Sequence, residues 1–91
     1  MSADAILDDA TPRIAPLFRL QFEPAQDTWV LLYPEGLVKL NGPASEILKR
    51  CDGKASVLDI TADLELAFNQ PGLRNDVGEF LADAKARGWI V

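Results

Sequence analysis

Apolar and polar residues alternate from Phe18 to Phe22. Phe18, Leu20 and Phe22 fall on one side and Arg19 and Gln21 on the other, the period of a half-buried strand over residues 17–22. Glu23-Pro24-Ala25-Gln26-Asp27 reads as a turn. The next run, Trp29-Val30-Leu31-Leu32-Tyr33, is apolar on both faces, which suits a central strand covered on both sides. Pro34-Glu35-Gly36 interrupts it, with a proline that cannot donate to a ladder and a glycine free to take positive φ. Leu37, Val38, Lys39 and Leu40 then predict a third, short strand. The short links between these strands predict an antiparallel meander.

At Asn41 the period lengthens. Asn41 can cap a helix, Pro43 suits its first turn, and Ala44, Ile47, Leu48 and Cys51 form one stripe. Gly53 is expected to close that helix in the left-handed conformation. Ser56-Val57-Leu58-Asp59 resembles a capping box with aspartate in place of glutamate. Val57, Ile60, Leu64, Ala67 and Phe68 carry a second helical stripe, flanked by Leu58, Thr61 and Leu66, up to the breaker Asn69-Gln70-Pro71-Gly72. A third helix is predicted to start near Asn75 or Asp76 and to end at Gly88. Its stripe is Leu73, Val77, Phe80, Leu81 and Ala84, and Trp89-Ile90-Val91 follows as an extended tail. The order βββααα predicts an α+β, winged-helix-like domain over residues 17–91: a three-stranded antiparallel sheet followed by three helices. Residues 1–16, with sparse apolar side chains and Pro12 and Pro16, read as an exposed, mobile arm. The alternative is that residues 12–16 dock against the body, since two prolines lower the entropy lost on holding them extended.

Composition narrows the function. The chain has 91 residues, one cysteine and no histidine, which excludes histidine-based triads, Cys/His zinc sites and internal disulfides. No cofactor or metal is expected. The longest apolar run is too short to span a bilayer, and the acidic start lacks the basic flank of a signal peptide, so the expected location is the cytoplasm. Nine basic against 14 acidic residues give a net charge of −5. That balance opposes nucleic-acid binding, which rests on Lys and Arg neutralising phosphates.

The candidate chemistry is thin. A DNA-reading helix needs exposed Arg, Lys, Asn or Gln; the third helix instead offers Asp76, Glu79 and Asp83 against Lys85 and Arg87, and the second carries Asp59, Asp63 and Glu65 with no cation. These carboxylates read as solvated faces. Cys51 reads as a buried thiol, and Trp29 and Trp89 as core and rim aromatics rather than a ligand-stacking pair. No phosphate loop, dinucleotide fingerprint or nucleophile elbow occurs. An enzyme is not expected.

What remains is geometric. The third strand is an edge with a single charge, Lys39, and edges offer unpaired N–H and C=O groups. If the last helix lies beside it, Val77, Phe80, Leu81 and Ala84 wall a groove floored by that edge, and an extended peptide could add as a fourth strand. The competing readings are a winged-helix nucleic-acid binder, and a non-catalytic oligomerisation module in which the edges of two copies pair as a homodimer.

The residues Pro12-Arg13, Ala15-Pro16, Arg19-Leu20, Trp29 through Gly36, Leu40-Asn41, Ala44, Ile47-Leu48, Cys51-Asp52-Gly53, Asp76-Val77, Phe80-Leu81 and Gly88 together resemble the PqqD family of pyrroloquinoline quinone biosynthesis. The resemblance runs from Pro12 onward and is most specific over residues 31–41 and Cys51-Asp52-Gly53. It implies a peptide chaperone without catalytic activity, which binds the ribosomally made precursor PqqA. The chaperone presents PqqA to PqqE, a radical S-adenosylmethionine enzyme that joins a glutamate and a tyrosine side chain within it. It further implies a recognition element in which the leader adds beside the third strand and lies against the third helix. The implied peptide-binding residues are Leu37, Val38, Lys39 and Leu40 on the strand, with Asp76, Val77, Phe80, Leu81 and Ala84 on the helix. Ala84 is smaller than the apolar residue the family implies there, so a shallower pocket is expected. The surface that meets the enzyme is expected on the arm or the first helix.

Overall fold

The computed structural model describes residues 6–91; the part of the expected arm in residues 1–5 lies outside them. Three strands, β1 (Arg19–Glu23), β2 (Thr28–Tyr33) and β3 (Gly36–Leu40), precede three helices, α1 (Gly42–Lys49), α2 (Val57–Ala67) and α3 (Arg74–Ala86). The strands form one antiparallel sheet in the order β1-β2-β3. The expected α+β class and element order are therefore found, with boundaries moved by one or two residues.

Register decides what each strand buries. Leu20 and Val38 both pair with Leu31, and Phe22 and Leu40 both pair with Trp29, so these six residues share one face of the sheet. That face meets the helices: Leu31 and Leu40 join Ile47, Leu48, Ile60 and Leu81 in the core, with Leu20, Trp29 and Val38 packed against it. The opposite face carries Arg19, Gln21, Val30, Leu32, Leu37 and Lys39. The cover expected on both sides of β2 differs in kind between its two faces. Val30 is buried but stands outside the main core. Its cross-strand neighbours are Gln21 and Lys39, whose aliphatic stems are long enough to lie over it.

The helix ends follow local chemistry. Asn41 Oδ1 accepts from the Ala44 N–H at 2.8 Å and starts α1. Ser56 and Asp59 form a complete capping box on α2, each side chain accepting from the other's backbone N–H. Gly53 is left-handed, with φ +81, but it does not close α1 as expected. The helix stops at Lys49, with Arg50 still right-handed, and Gly53 instead turns the following loop so that its N–H reaches the Pro12 carbonyl at 3.0 Å. Helix α3 starts at Arg74, slightly earlier than expected, and Gly88 at φ +78 ends it as expected.

Residues 6–16 run along the body and bond to it through their main chain. Arg13 and Val91 exchange backbone hydrogen bonds at 3.1 and 2.8 Å, and the Ala15 N–H donates to the Trp89 carbonyl at 2.8 Å. This strap also completes α2. The first N–H groups of a helix have no partner within it, and here Val57 and Leu58 donate to the carbonyls of Ala10 and Asp8 at 2.9 and 3.2 Å. Asp8 pairs with Arg74 at 2.7 Å, which ties the strap to the start of α3. No helix among the described residues is long and apolar enough to cross a membrane.

Candidate functional site

The outer side of β3 pairs with no strand among the described residues, and the hairpin before it fixes which groups point there. Tyr33 and Gly36 are partners across a two-residue turn. Pro34 has no N–H, so this pair itself must exchange the closing hydrogen bonds. Bonded and non-bonded pairs then alternate. Leu31 with Val38 and Trp29 with Leu40 are bonded pairs, whereas Leu32 with Leu37 and Val30 with Lys39 are not. The N–H and C=O groups of Leu37 and Lys39 therefore point away from the sheet, and those of Gly36, Val38 and Leu40 point into it. The Thr28 hydroxyl, on β2, donates to the Leu40 carbonyl at 3.2 Å, which agrees with that assignment. Two residues thus offer four backbone groups to an incoming chain.

The side chains expected to surround this edge divide into two sets. On β3, Leu37 is 50% exposed and Lys39 is exposed on the face away from the helices, Val38 is half-buried on the helix side, and Leu40 belongs to the core. On α3, Asp76 is exposed and Phe80 half-buried, its ring centroid 6.5 Å from that of Trp89. Val77, Leu81 and Ala84 are buried in the core. Spaced at i, i+4 and i+7, they are the inward stripe of α3, and in this conformation Leu81 and Ala84 have no surface to give a ligand. Helix α3 packs chiefly on α2, and β3 on β2, so strand and helix meet through the shared core rather than as close neighbours.

A cleft of about 580 Å³ opens where β3 ends. Gly42, Pro43 and Ile47 of α1 form one wall, Phe68 and Leu73 between α2 and α3 form the other, and Asp76 and Val77 also reach it. Gly42, Pro43, Phe68 and Leu73 were not anticipated as site residues. The sequence pattern puts Phe68 on the apolar stripe of α2, just before the breaker Asn69-Gln70-Pro71-Gly72, whereas the structure leaves it 52% exposed at this cleft. At the rim Glu46 accepts from Lys49 at 2.9 Å and from Arg50 at 3.0 Å. Those hydrogen bonds hold its carboxyl below the usual carboxylate range. Arg50 also pairs with Asp63 of α2, so one guanidinium ties the two helices together.

The other singled-out groups lie elsewhere. Cys51 is buried and its thiol donates to the Ile47 carbonyl at 3.4 Å; burial and the neighbouring Asp52 carboxylate push it up to about 12. Trp29 stacks edge-on with Phe22 beneath the Lys49 ammonium, and Trp89 lies between Phe80 and Arg87. Each tryptophan has its own cluster. Among the described residues no group of three or more His, Cys, Asp or Glu side chains is placed to hold a metal ion.

This sheet edge, beside a cleft at the helix junction, stands in a chain whose residues 28–90 match the family model of coenzyme PQQ synthesis protein D, PqqD. The chain belongs to the PqqD family. Relatives named PqqA binding protein include those of Pseudomonas aeruginosa (strain UCBPP-PA14), 52% identical over 90% of each chain, and Methylococcus capsulatus, 42% identical over 90% of this chain and 88% of the relative. A solved structure, the PqqD truncation of Methylobacterium extorquens PqqCD, superposes with a TM-score of 0.82 at 26% identity, over all of this chain and 99% of the other. That PqqD truncation is described as a functional, stand-alone recognition element for ribosomally synthesized and post-translationally modified peptides.

Proposed function

We propose that this member of the PqqD family carries the precursor peptide PqqA as an added strand on β3 and presents it to the radical S-adenosylmethionine enzyme PqqE in the cytoplasm, without catalytic chemistry of its own. The observation that carries the reading is the pair of residues, Leu37 and Lys39, whose backbone groups face outward from an unpaired edge, in a chain whose relatives are named for binding PqqA. Backbone bonds supply register without regard to sequence, and neighbouring side chains supply selectivity. In this arrangement Leu37 and Val38 lie against alternate side chains of the peptide, and Phe80 and Asp76 meet it from α3. Leu40, Val77, Leu81 and Ala84 support the site from behind.

Hydrogen exchange tests this directly. In the free protein the Leu37 and Lys39 amides face solvent, whereas Val38 and Leu40 are already in the ladder. Saturating PqqA should slow exchange at Leu37 and Lys39 by about 100-fold, a typical gain for an amide entering a stable ladder, and change Val38 and Leu40 little. Bound PqqA with unchanged exchange at Leu37 and Lys39 would rule out strand addition on β3. Presentation is tested separately: PqqE should cross-link PqqA only when the carrier is present.

A further inference from the structure

Among the described residues, the outer face of α2 carries an apolar line with no partner. Val57, Ile60, Thr61 and Leu64 turn into the core, which at 3.6 residues per turn leaves Leu58, Ala62 and Leu66 in a line along the outside of the helix. Leu66 is 83% exposed and Leu58 52%. Leu7 of the strap, 70% exposed, comes near the start of this line, because the neighbouring Asp8 carbonyl accepts from the Leu58 N–H. Beyond Leu66 the surface drops into a shallow notch walled on its far side by Pro71. Single exposed leucines are ordinary; two on one helix face, joined by Ala62 and adjoined by Leu7, make a contiguous apolar strip of the kind that partners cover.

The charges select what covers it. Asp59 and Asp63 border the line on one side and Glu65 on the other, and α2 contains no Lys or Arg. Arg50 offsets only Asp63. A second copy of this chain, set isologously against the line, would bring carboxylates onto carboxylates. A partner with an apolar ridge edged by Lys or Arg fits instead. Helix α2 packs on α1 and α3, with this line turned away from the core, so a chain added at β3 leaves it free. We propose that Leu58, Ala62 and Leu66, with Leu7, form the surface on which the peptide-loaded protein docks to its modifying enzyme. This rests on the carrier reading above, with PqqE as that enzyme.

The test compares the full-length protein with the Leu58→Asp/Leu66→Asp double variant, and with Leu66→Ser should the double variant not fold. PqqA affinity and PqqE affinity are measured for each. PqqA binding should stay within about twofold of the unmodified protein, and PqqE binding should weaken by about 30-fold or more, the loss expected of a central anchor. PqqE binding by the unmodified protein should also weaken as salt rises. Unchanged PqqE binding by a folded variant overturns the proposal, as does joint loss of PqqA binding, a PqqE affinity indifferent to salt, or a homodimer that the variant dissolves. If the unmodified protein binds PqqA but not PqqE at all, the presentation step fails as well, a result distinct from failure of this surface alone.

Discussion

Proline placed at Lys39 and at Val38 should give opposite results, although the residues are adjacent. The Lys39 N–H points outward and makes no ladder bond, and proline is tolerated on edge strands in that setting. Lys39→Pro should therefore cost within about 1 kcal/mol of stability, mostly for drawing φ towards −65°. The Val38 N–H faces Leu31, a fully buried residue. Val38→Pro strands the Leu31 carbonyl inside the protein, at about 1–3 kcal/mol, and also removes half-buried aliphatic surface. A total near 3 kcal/mol should lower the melting temperature of a domain this size by roughly 12–24 °C. Binding reverses the order of harm. In Lys39→Pro an incoming PqqA carbonyl finds no donor and meets the ring instead, which at about 1–3 kcal/mol weakens affinity roughly 5- to 150-fold. Thermal melts followed by calorimetric titration with PqqA read both quantities, and Lys39→Ala controls for the lost charge. A folded Lys39→Pro that binds PqqA as well as Lys39→Ala does would refute the assignment of outward groups, the added strand, or both.

Three further outcomes are expected. Phe80→Ala, which removes the one large apolar side chain of α3 that keeps some exposure, should weaken PqqA binding about tenfold, in the range of a side chain contributing over 1 kcal/mol at an interface; unchanged affinity in a folded variant would remove α3 from the site. Cys51, pushed up to about 12, should be alkylated by iodoacetamide at pH 8 about 1,000-fold more slowly than a free thiol, because the thiolate is the nucleophile, with full reactivity appearing only in denaturant. Glu46, held below the usual range by Lys49 and Arg50, adds stability that is complete above its unfolded value of about 4.3 and is lost as pH falls through the lowered folded one. Glu46→Gln should therefore flatten the loss of melting temperature between about pH 5 and pH 3, and an unaltered acid profile would show that the pair contributes nothing.

Where side chains encode structure, the sequence was readable. The period-two run at Phe18, Leu20 and Phe22, the Asn41 cap and the Ser56/Asp59 box announce β1, α1 and α2 through their own chemistry. The strap was hard to read for the converse reason. Pro12, Ala10 and Asp8 dock through backbone carbonyls that accept from Gly53, Val57 and Leu58, and main-chain bonds leave no mark on residue type. The surroundings of β3 were half legible. Periodicity identified the stripe of Val77, Leu81 and Ala84, but a stripe looks the same whether it faces a core or a groove. Its contents differ in one respect: the inward set ends in Ala84, small enough for close helix packing, whereas Phe80 stands off the line and keeps an exposed edge.

That division bears on where affinity comes from. Four outward backbone groups yield at most about four hydrogen bonds, each worth roughly 0.5–1.5 kcal/mol net. Bringing two molecules together and ordering an extended peptide costs an estimated 4–15 kcal/mol. The edge by itself therefore holds neither PqqA nor the edge of a second copy, which would gain the same few bonds. It sets register, and apolar anchoring beside it has to supply the surplus. Among the described residues the apolar features left open around this edge are Leu37 on β3 itself, the flank of Phe80 on α3, and the cleft between Pro43 and Phe68. A peptide that places apolar side chains at more than one of these gains what the ladder lacks, whereas a second copy of β3 has a single exposed apolar side chain, Leu37, to offer. The same open edge can in this way select a leader peptide over its own twin with only one charge, Lys39, guarding it.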